Sequence, residues 1–184
     1  MEVRIRDEYQ KLSRQELLET VSGLASKFEN YSMGCSQSTI AAIHKIVDVD
    51  DIVVKLATSA AGGTAIQTLG TCGALSGGIM MLDYFFGRPL EKMSCEELVP
   101  DSAQAIFDAA DVAEIIANRF IEEYGTFICC HIQRRLFGRT FWNRDPQDYK
   151  KFEEAAGHSD PEKCRRVVSN AAKWTMEILL EKGT

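Results

Sequence analysis

Residues 70–87 read GTCGALSGGIMMLDYFFG, and what this run becomes decides the fold. It belongs to a longer stretch, from Leu56 to Leu82, that carries no charged residue. That length could cross a membrane. However, Thr58, Ser59, Thr64, Gln67, Thr68, Thr71 and Ser76 interrupt it, and six glycines dilute its apolar content. Its summed hydropathy is weak on an insertion scale, so the reading is a loop-broken pair of buried helical segments. The second is a small-residue helix that Gly87 and Pro89 stop. Gly73 and Gly77 are four apart on one face of it, with Ala74 beside them, so a neighbour can approach closely. Cys72 heads the run, either as plain core or as a thiol given room to bind or react.

Outward from this run the chain reads as helix nearly throughout. Ser13 with Glu16 three residues on is a capping-box signature, and Leu17, Val21, Leu24 and Phe28 follow at helical spacing. CSQSTIAAIHKIVDV, from Cys35, sets Ile40, Ile43, Ile46 and Val47 on one side of a second helix. DDIVVKLATSA is a short third that ends at Gly62-Gly63. A long helix capped by Asp101 or Ser102 runs to Gly125, and another runs from about Thr126 to Gly138. Two more open with Asp-Pro, at Asp145-Pro146 and Asp160-Pro161, and end at Gly157 and Gly183. Sustained period-two alternation is not seen. The expected architecture is a single all-α domain over residues 1–184, a bundle of about seven or eight helices.

A chain of 184 residues can bury a self-sufficient core. A net charge of -6 and a pI near 5.2 argue against a non-specific nucleic-acid binder, which needs a basic face. The opening MEVRIRDEYQKL has charges where a signal peptide needs an apolar run, so the expected compartment is the cytoplasm. Thiols stay reduced there, so the six cysteines suggest metal binding, redox chemistry or plain burial rather than structural disulfides.

Four of the cysteines fall at expected helix starts: Cys35 after Gly34, Cys72 after Gly70-Thr71, Cys129 after Gly125-Thr126, and Cys164 four residues after Asp160. A helix amino terminus has unpaired N–H groups and a positive potential. A thiolate there is stabilised, so lowered thiol pKa values are expected. Any one of these cysteines alone would be read as packing, since reduced cysteine is among the most buried residue types. Their spacing matches no zinc-ribbon, finger or ferredoxin pattern, and no Cys-x-x-Cys-His marks a haem. Cys129 and Cys130 point about 100° apart on a helix, so one site would not use both equally. His44 reads as an ordinary helix-face residue, His131 as a group able to tune a nearby thiolate, and His158 as a loop residue before Cys164. SAAGGTAIQTLG lacks a preceding strand and a Lys-Ser/Thr ending, which weakens it as a phosphate loop. Arg134, Arg135, Arg139 and Arg144 read as a solvated basic face.

Laid out this way, the sequence resembles the redox-active proteins called the C-GCAxxG-C-C family, over residues 28–180. Cys35 in MGCSQSTIAA matches the first cysteine. Cys72-Gly73-Ala74-Leu75-Ser76-Gly77 matches the central block. Cys129 in GTFICCHI and Cys164 in EKCRRVV match the last two. Cys130 is the alternative to Cys129, and Cys95 falls outside the pattern. The resemblance implies a small helical redox protein with Cys35, Cys72, Cys129 and Cys164 as metal ligands and with Gly73 and Gly77 at the cofactor site. It extends to the non-haem part of split-Soret cytochromes, where such cysteines are associated with an iron–sulfur centre; no haem is expected here.

Three functions compete on these residues. The first is an electron-transfer or redox protein binding an iron–sulfur cluster through the four cysteines. The second is a metal-free thiol–disulfide protein or sensor. The third is a zinc-stabilised or purely structural interaction module. A homodimer is expected, because segment 56–82 is hard to cover in one small bundle. An unknown redox protein is the expected partner, with neither nucleic acid nor membrane.

Overall fold

The computed structural model describes residues 2–183 and is all-α, with eight α-helices and no strand among the described residues. Helix α1 spans Arg14–Ser32 and opens with the capping box anticipated from Ser13 and Glu16. Helix α2 (Cys35–Ile46) and the short α3 (Asp51–Leu56) follow. Residues 57–72 form a loop with one 3₁₀ turn, and α4 (Gly73–Phe86) begins behind it. Helix α5 (Ser102–Tyr124) ends in a left-handed Gly125, and α6 (Cys129–Phe137) in a left-handed Gly138. Helix α7 (Pro146–Glu154) is capped by the Asp145 carboxylate, and α8 (Cys164–Lys182) closes the fold. No helix among the described residues is long and apolar enough to cross a membrane.

Several helix ends differ from the sequence reading: α3 stops at Leu56, short of Gly62-Gly63, α6 begins at Cys129 rather than near Thr126, and α7 ends at Glu154 rather than at Gly157. The last helix begins at Cys164 rather than Pro161, because residues 161–163 form a turn. Asp101 occupies the N-cap position of α5 in a left-handed conformation, and its side chain makes no capping bond.

Helices α1, α2, α4 and α8 pack on one another, with α5 against α4 and α8. Ile40, Ile43, Leu75, Met81, Ile116, Met176 and Leu179 are buried at their centre. The small residues of α4 are what allow this. A Cβ on Gly77 would collide with the Ser36 backbone of α2, and one on Gly78 would meet Ile116 of α5 and Thr175 of α8 at 2.6 Å. The fold thus covers most of α4 by itself. Leu56 and Leu69, in the stretch before it, remain exposed.

Candidate functional site

Four helices begin around one cavity. Cys35, Cys129 and Cys164 are the first residues of α2, α6 and α8, and Cys72 is the N-cap of α4. All four line a cavity of about 270 Å³, although their sequence positions span most of the chain. Cys130 lies beside it and is not in its lining, so of the adjacent pair it is Cys129 that faces the cavity. Cys95 is exposed in the loop between α4 and α5.

The loop before α4 holds this arrangement. The Cys72 N–H donates to Phe127 O at 2.8 Å, Cys129 N–H to Gly70 O at 2.9 Å and Cys130 N–H to Thr68 O at 2.8 Å. This short antiparallel pairing brings the starts of α4 and α6 side by side. Gly62, Gly63, Thr64, Ala65 and Ile66 all have positive φ, a left-handed run in which each non-glycine costs about 1–2 kcal/mol. The run turns the Gly62 N–H onto Cys35 Sγ at 3.4 Å. Gly63 has to be glycine twice over: its φ is +73°, and a Cβ would lie 2.8 Å from both Cys129 Cβ and the Thr68 backbone. Gly73 and Gly77 contribute by close approach and are not in the cavity lining. A Cβ on Gly73 would strike Cys35 Sγ, whereas Gly77 seats α4 on α2.

The thiols do not have the lowered pKa expected of helix starts. Burial pushes Cys72 up to about 11, and the Ala74 and Leu75 N–H groups at the head of α4 only partly offset it. Burial also drives Cys35, Cys129 and Cys164 well up. Glu29 raises Cys35 and Cys164 further, and neighbouring thiols raise all three. Loss of hydration outweighs the helix field because these sulfurs sit inside the protein rather than at a solvated helix end.

Glu29 is the site residue that sequence reading missed. It is fully buried on α1 and lines the cavity. His158 Nδ1 lies 3.0 Å from Glu29 Oε1, and its Nε2 lies 3.5 Å from Glu153 Oε1. The imidazole also stands edge-on to the Phe152 ring at 5.1 Å. The signal was present in the sequence: Val21, Ala25 and Glu29 recur every four residues, so a charge sits on the buried stripe of α1. His131, by contrast, is exposed and lies 3.5 Å from the Thr126 hydroxyl, so it faces away from the cavity. His44 pairs with Asp51 at 2.8 Å.

Chemically the lining brings together four thiols, the Glu29 side chain and the His158 imidazole, with no Lys or Arg. Among the described residues no three His, Cys, Asp or Glu side chains converge closely enough to hold a single metal ion. A family model described as "Putative redox-active protein (C_GCAxxG_C_C)" matches residues 33–178. No curated protein and no solved structure matches the chain.

Proposed function

The chain belongs to the C_GCAxxG_C_C family of redox-active proteins, and on that premise we propose that its thiol cavity holds an iron–sulfur cluster for electron transfer. The observation that carries this reading is the meeting of Cys35, Cys72, Cys129 and Cys164 on one cavity from four separate helix starts. Four thiolates are the ligand set such clusters use, and when bound the group would take up and release an electron. The donors fit it chemically. The lining carries no Lys or Arg, and a metal-containing group would supply positive charge that helps four buried thiols shed their protons. The four thiols line one space, and among the described residues no group of three His, Cys, Asp or Glu side chains is placed to hold a single ion, as the zinc of a structural module would require. Gly62 N–H to Cys35 Sγ is the kind of hydrogen bond that tunes a cluster's potential.

The metal-free thiol–disulfide reading is disfavoured by the raised pKa values. Exchange requires a thiolate, and burial raises the pKa of these sulfurs.

The test is anaerobic purification followed by iron, sulfide and visible-absorbance measurement. Iron and sulfide should be present together. Cys35→Ser, Cys72→Ser, Cys129→Ser and Cys164→Ser should each lose them, while Cys130→Ser and Cys95→Ser keep them. A folded wild-type chain with neither iron nor sulfide would overturn the proposal.

A further inference from the structure

The chain carries a net charge of -6, yet residues 126–144 hold four arginines and no Asp, Glu or Lys. Burial assigns the faces of α6. Ile132 and Gln133 are buried, whereas His131, Arg134 and Arg135 are exposed. The loop after the helix, residues 138–145, is tied back along it. The Thr140 hydroxyl donates to Cys130 O at 2.9 Å, and Phe141 N–H donates to Gln133 Oε1 at 2.9 Å. Arg139 and Arg144 are exposed on that loop, with Trp142 44% exposed between them in sequence.

This positive charge is only partly neutralised. Arg139 pairs with Asp148 at 2.8 Å. Among the described residues the side chains of Arg134, Arg135 and Arg144 have no ion-pair or hydrogen-bond partner. The nearby carboxylates are already engaged. Asp145 caps α7, Asp148 serves Arg139, Lys151 and the Trp142 N–H, and Glu123 at the end of α5 lies 3.9 Å from Arg166. An unpaired guanidinium is a planar donor fork that suits a carboxylate.

The same two segments form a wall of the thiol cavity. Cys129, Ile132, Gln133 and Asn143 line it from within. A helix with its side chains is about 10–12 Å across, so anything seated on the outer face of α6 is about one helix width from the cavity. Residue types point to a protein as the occupant. Arg and Trp are enriched at protein interfaces and dominate their hot spots, whereas Lys is depleted there. The net charge of the chain opposes an extended nucleic acid.

We propose that the outer face of α6 and the loop 138–145 dock a small acidic protein, whose carboxylates meet Arg134, Arg135 and Arg144 and whose apolar surface meets Trp142. That the docked protein is an electron carrier rests on the function proposed above; the docking rests on this face alone. Opposite charge steers such a partner onto a basic patch of an acidic chain and fixes its orientation there.

The test uses the full chain, purified anaerobically, with iron and sulfide measured on the same sample. An acidic plant-type ferredoxin and an acidic flavodoxin are titrated in by calorimetry and NMR, with the basic cytochrome c and a short DNA duplex as controls. An acidic carrier should bind saturably at one per chain and more weakly as salt rises, and the controls should not bind. Arg134→Glu together with Arg135→Glu should weaken binding by about tenfold or more and flatten its salt dependence. Trp142→Ala should weaken it by about fivefold and keep the salt dependence. Lys45→Glu together with Lys55→Glu makes the same change in net charge on α2 and α3 and should leave binding unchanged. Thermal melts are recorded for every variant, and Arg144→Glu decides the matter if the double arginine variant fails to fold. The proposal is overturned if neither carrier binds, if cytochrome c or DNA binds as well, or if the folded arginine variant binds unchanged. It is also overturned if the lysine variant loses binding equally, or if light scattering shows a dimer that the arginine variant breaks, because the occupant would then be a second copy of this chain. Docking without iron and sulfide would sink the cluster and leave this inference standing; iron and sulfide without docking would do the reverse.

Discussion

Helix α4 lies between two loops of opposite character. The leading loop, residues 57–72, runs through a left-handed stretch, bonds backbone to backbone with residues 127–130, and delivers the buried Cys72. The trailing loop, residues 87–101, carries the exposed Cys95 and leaves Leu90 77% and Leu98 98% exposed. Its hydrogen bonds are local: Ser94 Oγ accepts from the N–H groups of Glu96 and Glu97, and Lys92 Nζ reaches Pro100 O at 3.2 Å. Strained backbone persists only where its surroundings over-determine it. Pairing with the head of α6 supplies that constraint on one side of α4, and nothing comparable acts on the other. Two cysteines 23 positions apart (95 minus 72) therefore sit in unlike environments.

The contrast breaks most readily at the seat of α4. Gly77→Leu forces a side chain into the Ser36 backbone and should cost about 3 kcal/mol or more, roughly a 6–12 °C fall in melting temperature. Even Gly77→Ala should destabilise, against its better helix propensity, because the atoms it meets are backbone and cannot swing away. An unchanged melt for Gly77→Leu would mean that α2 and α4 do not approach as described.

Thiol chemistry sharpens the same contrast. In the metal-free chain Cys95 should react with iodoacetamide at neutral pH, while the cavity cysteines lag until the fold opens. Cys72 has a folded pKa of about 11, above the roughly 8.5 of an unfolded cysteine. Its contribution to stability is therefore complete below about pH 8.5 and is lost as pH rises toward 11, by up to about 1.4 kcal/mol per unit. Urea melts between pH 7 and 10.5 would show the decline. A flat profile would place the sulfur in water.

Ala65→Gly probes the leading loop itself. Ala65 is exposed and has φ of +51°, so glycine relieves strain without removing packing and should stabilise by about 1 kcal/mol. Destabilisation would show that residues 62–66 are not left-handed. The smallest effect belongs to the trailing loop, where Cys95→Ser should change the melt by less than about 0.5 kcal/mol and leave iron content unchanged.

Much of this was legible in the chain. The capping box at Ser13, the glycine stops at Gly125 and Gly138, and the Asp145 cap are local features, and the helices they bound are present. The positions of four cysteines at helix starts were equally readable, since a helix start is set by neighbouring residues. The fate of Asp160-Pro161 was not. The signal was real, yet the chain spends three residues in a turn, and that turn sets Cys164 at the head of α8.

By itself the sequence determined the helical class, the order of the helices and which thiols stand at their amino ends. Those properties depend on residues within a turn or two of one another. Tertiary structure alone decided that the four thiols share a cavity, that Cys129 rather than Cys130 faces it, and that Glu29 and His158 meet there from positions 129 residues apart. It also reversed the direction of the thiol pKa values. A helix start acts on a thiol over a few ångström of local backbone, but hydration is removed by everything packed around it, and here the second effect is the larger.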